Sequence, residues 1–291
     1  MMQEEGRHIP SDWNDLPLER MKGTILVIGA SDRGKTTLVR WLMRRLTSRG
    51  SQVGWLDGDI GQSTLGLPTT MTLALGEHPA EQLPEPSAAF FVGATSPKGC
   101  MLPHVTGFRL LRDLALRSGS DTVVVDTTGL VAENAGGGAL QEWTIELLNP
   151  QFVIALQYGR ELKHLLPALR RDRRRHLHVL KPAPAVRTRS TQERAHNRRE
   201  RFRRYFQAAH PLLLRLGTVP VYGLRRAGPG QLAALLDPAG FCQALALLHQ
   251  RTSDGLILQT PWAGLKGVSA VRFGIMSLDP ATGAAMRTNR H

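Results

Sequence analysis

The run Gly29-Ala30-Ser31-Asp32-Arg33-Gly34-Lys35-Thr36-Thr37 fits the pattern G-x-x-x-x-G-K-[ST]. Glycines at its two ends let the backbone curl so that successive N–H groups point at one phosphate. A helix starting at Lys35 would add its partial positive charge. In such a loop Lys35 reaches the β- and γ-phosphates and the Thr36 hydroxyl holds Mg²⁺. The chemistry is binding of a nucleoside triphosphate with magnesium. An ordinary glycine turn before a helix is the competing reading, and the flanking elements speak against it.

Carboxylates downstream suggest what is done with the phosphate. Asp57-Gly58-Asp59-Ile60-Gly61-Gln62-Ser63 follows an apolar run. A carboxylate at the end of a neighbouring strand faces the phosphate loop across the crevice where α/β sheets bind ligands. Asp59 is placed to help hold the metal and to take the proton from an attacking hydroxyl. The alternative is that these residues only turn the chain. Asp126 closes the run Thr-Val-Val-Val, as a carboxylate in the outer shell of the metal would. The other reading is that it caps the next turn. Thr127-Thr128-Gly129 then offer hydroxyls and a backbone N–H to a ligand. His104, a lone histidine at a helix start, reads as structural.

Arginines supply a third set of groups. Between Arg160 and Arg204 fourteen Arg and two Lys face four acids, so this stretch holds +12 of the chain's net +13. That concentration fits a polyanionic partner. Treated as a helix over 191–209, the segment puts Arg194, Arg198 and Arg201 within an arc of about 60°. Like charges four apart cost a helix roughly 0.2–0.5 kcal/mol each, so the stripe needs an anion to face. Phe202, Phe206 and Ala209 form an adjoining apolar stripe that can dock the helix. A lid over the phosphates is favoured over a nucleic-acid tether or a solvated face, since only Glu193 and Glu200 interrupt the cations. The earlier cluster at 170–176, without aromatic residues, suits sequence-independent contact with strand phosphates or a solvated helix end.

These residues need elements to hold them. Apolar runs at 23–30, 52–57, 88–93, 121–129 and 151–157 read as buried strands. Between them, 35–48, 102–119 and 139–150 carry helical spacing. Strands alternating with helices predict a parallel sheet covered on both faces. After residue 210 short apolar runs separated by Pro and Gly predict a β-rich module.

The 291 residues are 42% hydrophobic, enough for a packed core. Two cysteines, Cys100 and Cys242, with no C-x-x-C or Cys/His ligand spacing, argue against structural zinc and disulfides and for a reducing compartment. The polar, acidic start is unlike a signal peptide, and no apolar run reaches 18 residues. A cytoplasmic setting without membrane contact is expected.

Four stretches, "GASDRGKTT", "DGDIGQS", "FFVGATSP" and "VVDTTGLV", together with the arginine-rich segment resemble the polynucleotide 5′-hydroxyl kinase family. The resemblance covers roughly 12–210. It implies ATP and Mg²⁺ as cofactors, with transfer of the γ-phosphate to the 5′-hydroxyl of RNA or DNA. Lys35 and Thr36 take the nucleotide and magnesium roles, Asp59 is the base, and Gln62 supports it. Thr95 and Ser96 fall in the element beside the nucleic-acid strand. The lid of the family carries R-x-x-x-R, matched by Arg194 and Arg198, with Arg201 next to them. Where eukaryotic members have a base-stacking Trp, this chain has Leu130.

The expected molecule is therefore an α/β P-loop NTPase. A lead (1–20) precedes a kinase domain (21–210) with a basic helical lid (about 160–210), and a small β-rich module (211–291) follows. The alternatives are a P-loop GTPase or ATPase, against which stands the lack of a convincing N-K-x-D guanine motif, and a non-catalytic, ATP-bound nucleic-acid-binding subunit.

Overall fold

The structure, a computed structural model, describes residues 9–76, 82–184 and 186–286. Residues 1–8 of the expected lead lie outside the described residues. The rest of the lead forms two short 3-10 turns, Ser11–Asp15 and Leu18–Arg20.

The first half alternates as its apolar runs dictate. It comprises β1 (Gly23–Gly29), α1 (Lys35–Thr47), β2 (Val53–Asp57), β3 (Thr70–Ala74), β4 (Ala88–Phe91), α2 (Met101–Arg117), β5 (Thr122–Asp126), α3 (Gly137–Leu148), β6 (Phe152–Leu156), α4 (Leu166–Arg171), β7 (His176–Leu180) and α5 (Thr191–Phe206). The seven strands form one sheet in the order β4-β3-β2-β5-β1-β6-β7. The expectation of a parallel sheet needs one correction. β3 runs antiparallel to both β2 and β4, because it returns directly from β2 without a crossover helix.

Alternate residues of each strand point to opposite faces. Ile25, Val27, Trp55, Val124 and Ile154 pack under α1 through Leu38, Leu42 and Leu46, with Trp13 and Met21 of the lead joining them. Leu26, Leu56, Val125 and Val153 face α2 and α3 through Phe108, Leu111, Ile145 and Leu148. Burial on both sides explains why these strands read as continuous apolar runs.

A second sheet follows. It contains β8 (His210–Arg215), β9 (Val221–Tyr222), β10 (Gln231–Leu236), β11 (Cys242–Arg251), β12 (Gly255–Thr260), β13 (Ala270–Leu278) and β14 (Ala285–Met286). Its order is β14-β13-β10-β11-β12-β8, with β9 alongside β13. One face, with Leu232, Ala234, Leu245 and Leu247, packs on Phe91 of β4 and on Phe202 and Phe206 of α5. A backbone bond from Ile275 N–H to the Gly93 carbonyl, 3.1 Å, ties the two sheets. Among the described residues no helix is long and apolar enough to cross a membrane.

Candidate active site

β1, β5 and β2 are neighbours, and their register sets the acids side by side. Asp126 lies level with Val27 on one side and Asp57 on the other. The phosphate loop leaves β1 at this same edge. Gly34, at φ +79°, turns the loop into α1, a conformation that side chains with a Cβ resist. A cavity of about 810 Å³ opens here.

Most of the loop residues reach this cavity. Ser31, Asp32, Arg33, Gly34, Lys35, Thr36 and Thr37 line it, while Gly29 ends β1 beneath it. The Lys35 ammonium donates to the Ala30 carbonyl, 3.0 Å, folding the side chain over the loop. Burial pushes its pKa down, and the carboxylates of Asp126, Asp59 and Asp32 pull the other way. Arg33 donates to Glu161, 2.6 Å. Glu161, resisting partial burial, is held at about 2 by Arg33 and nearby backbone N–H groups.

The Thr36 hydroxyl donates to Asp126 Oδ2, 2.6 Å. The second oxygen, Asp126 Oδ1, is buried without a hydrogen-bond partner. Burial raises this carboxyl to about 7, against the Lys35 charge. A buried carboxylate with one orphaned oxygen beside a hydroxyl is a fitting donor set for a hard divalent cation. No cluster of three or more metal-ligating side chains occurs among the described residues.

Asp57 and Asp59 divide their labour. Asp57 is buried and accepts from the Ser63 hydroxyl and from the N–H groups of Thr64 and Leu65 through one oxygen. Its other oxygen takes the Asp59 N–H, 3.1 Å. Asp57 thus organises the loop. Asp59 reaches the cavity. Its Oδ1 accepts from Gly61 N–H, 3.0 Å, and Gln62 N–H, 2.9 Å. Its Oδ2 has no hydrogen-bond donor among the described residues.

Thr95, Ser96 and Pro97 form one wall of the cavity, and Thr128, Gly129 and Leu130 another. Gln62 lines it as well, with its amide on the Gly61 carbonyl, 2.8 Å, and the Arg194 carbonyl, 3.3 Å.

α5 closes the cavity. Ser190 and Glu193 form a reciprocal capping box at its start. Arg194 and Arg198 line the cavity, and Arg194 pairs with Asp32 of the phosphate loop. Arg198 has no ion-pair partner among the described residues. Burial and the Arg194 charge push its pKa down, with Asp59 opposing. The three-arginine stripe is nevertheless split. Arg201, expected to face nucleic acid, places its guanidinium on the carbonyls of Ser63 and Gly66 and does not line this cavity. The cluster at 170–176 is also partly engaged in the fold. Arg174 and Arg175 pair with Glu146 and Asp172.

Three contributors carried no signal in the sequence. Ile9 and Trp13 of the lead line the cavity, with the Trp13 indole N–H directed at the Lys181 carbonyl, 3.4 Å. Gln141 of α3 is buried, and its amide holds the Leu130 carbonyl at 3.2 Å.

A family model, the P-loop of the mRNA cleavage and polyadenylation factor CLP1, matches residues 29–208. The chain belongs to the CLP1 P-loop family. Curated polyribonucleotide 5′-hydroxyl-kinases are among its relatives. That of Methanocaldococcus jannaschii is 35% identical over 185 residues, 63% of this chain and 50% of the relative. That of Pyrococcus horikoshii is 32% identical over 202 residues, 69% of this chain and 54% of the relative. The chain thus spans about half the length of these relatives. In structure, the Clp1p–Pcf11p complex gives a TM-score of 0.64 at 13% identity, over 88% of this chain and 74% of the other. That likeness extends the CLP1 P-loop architecture into the second sheet.

Proposed function

We propose that the protein is an ATP-dependent polynucleotide 5′-hydroxyl kinase. The observation that carries this reading is that Asp59 lines the same cavity as Lys35, Thr36, Arg194 and Arg198. A nucleotide hydrolase needs to place only a water beside the loop and the metal. A kinase also needs a base and a seat for an acceptor alcohol, and the Thr95–Ser96 wall beside Asp59 suits that seat. The name of the relatives, polyribonucleotide kinases, favours RNA as acceptor.

In the reaction Asp59 accepts the proton of the 5′-hydroxyl as its oxygen bonds to the γ-phosphorus. The bond between that phosphorus and the β–γ bridging oxygen breaks, and ADP leaves with the electron pair. Lys35 offsets charge on the β- and γ-phosphates, and Arg194 and Arg198, lining the same cavity, offset charge on the transferring group. Thr36 and Asp126 would hold magnesium, which supplies further neutralisation of phosphate charge. Leu130 at the cavity wall lacks a stacking face, so acceptor affinity rests on phosphate contacts more than on a base platform.

Incubation with γ-labelled ATP and 5′-hydroxyl oligonucleotides of RNA and DNA tests this. Label is expected on the RNA 5′ end. Label released only as inorganic phosphate would overturn the kinase reading in favour of a plain NTPase.

A further inference from the structure

His104 sits one turn into α2 and is fully buried. Its Nε2 lies 3.0 Å from the carbonyl oxygen of Gly58. A carbonyl only accepts, so Nε2 carries the proton and Nδ1 is the bare nitrogen. Nδ1 is buried with no partner. An imidazole in an apolar layer, edge-on to Phe108 at 4.8 Å, with one nitrogen unsatisfied, is costly compared with a leucine. Packing does not explain its presence; the bond to Gly58 does.

Gly58 is the residue before Asp59, and its peptide is held on every side. Its N–H donates to the Asp126 carbonyl, 2.9 Å. Its carbonyl also accepts from the Ile60 N–H, 3.1 Å, which closes a three-residue turn with Asp59 at the apex. A Cβ at position 58 would lie 2.4 Å from the Phe108 ring, so α2 packs directly on this backbone. His104 and Ile60 together use both lone pairs of the Gly58 oxygen. The imidazole thus holds the carbonyl edge of the peptide leading into Asp59, while Asp57 Oδ1 accepts the N–H on its other edge, 3.1 Å.

We propose that His104 is a positioning residue for the base, aiming Asp59 through a hydrogen bond to the Gly58 carbonyl. The inference rests on the kinase reading with Asp59 as proton acceptor. His104 touches no reacting atom. Its effect is geometric, and a base displaced by about 1 Å can lose a hundredfold in rate.

The test compares wild type with His104→Leu, which keeps bulk without a donor, and His104→Gln, whose amide N–H can replace Nε2–H. Transfer from labelled ATP to a 5′-hydroxyl oligoribonucleotide is measured with separate kcat and KM values. His104→Leu is expected to lose about 10- to 100-fold in kcat, with KM for ATP and oligonucleotide within twofold. His104→Gln is expected to recover most of that loss. Wild-type kcat in His104→Leu would overturn the proposal, as would equal losses in both variants. A second measurement needs no variant and no activity. Ring ¹⁵N shifts of the wild-type protein should report the Nε2–H tautomer, and the Nδ1–H tautomer would overturn the role. Absence of transfer by wild type would instead count against the kinase reading, leaving the tautomer measurement to decide on the bond to Gly58.

Discussion

The Arg194 guanidinium rests on the carboxylate of Asp32, joining lid to phosphate loop across 162 residues. Asp32 holds a left-handed backbone, φ 54°, which aspartate tolerates better than most residues. Its carboxylate also accepts the Arg189 N–H, 3.2 Å. The lid arginine is thereby stationed at the rim of the phosphate cradle. Arg194→Ala is expected to lower kcat about a thousandfold or more, with oligonucleotide affinity unchanged within twofold. A binding titration beside a single-turnover assay separates these. Lost affinity with intact turnover would identify the arginine as a tether.

Asp59 provides the sharpest chemical check. Asp59→Asn keeps acceptors for the Gly61 and Gln62 N–H groups but cannot take a proton. Transfer should fall by roughly 10² to 10⁴, while ATP binding by equilibrium dialysis stays near wild type. Unchanged transfer would remove Asp59 from the mechanism.

Arg201 should behave differently from its two neighbours. Arg201→Leu strands the carbonyls of Ser63 and Gly66, which costs about 1–3 kcal/mol. Chemical denaturation should register that loss of stability. A variant as stable as wild type, but with weakened strand binding, would restore the nucleic-acid role expected from its position on the helix.

Leu130→Trp tests the acceptor wall. A stacked base contributes roughly 1–3 kcal/mol, so KM for the oligonucleotide should drop about fivefold or more. No change would place the strand away from this wall.

Acid stability reports on the buried imidazole. Burial lowers the His104 pKa from 6.5 to about 4. The folded value lies below the unfolded one, so its contribution is complete above about pH 6.5 and drains away as pH falls toward 4. The loss is on the order of 3 kcal/mol. Asp126, raised to about 7, slopes the other way over the same range. The comparison is therefore between wild type and His104→Gln, with the variant losing less stability on acidification. Parallel curves would show that the ring is not buried neutral.

The sequence announced the groups whose chemistry depends on local spacing. The phosphate loop, Asp59 and the R-x-x-x-R pair line one cavity, and Asp126 bonds to Thr36, because strand, turn and helix fix each of them within a few residues. Groups defined by distant pairing were silent. Trp13 meets Lys181 at a separation of 168. A helical wheel placed Arg201 on the stripe yet could not tell which of two loops the stripe would meet. The short strand Thr70–Ala74 lay hidden ahead of a Pro-rich stretch, and nothing in five residues encodes strand direction.

The seating of α5 has a mechanical consequence. Phe202 and Phe206, at its C-terminal end, are clamped against the second sheet, while Arg194 and Arg198 occupy the half nearer the phosphates. The helix is a beam held at both ends, by its aromatic residues in the second sheet and by Arg194 on the phosphate loop. Give at either support shifts the charges carried between them. Loosening the apolar contacts of β10 and β11, far from any phosphate, should therefore blunt the chemistry as surely as a change in the arginines themselves.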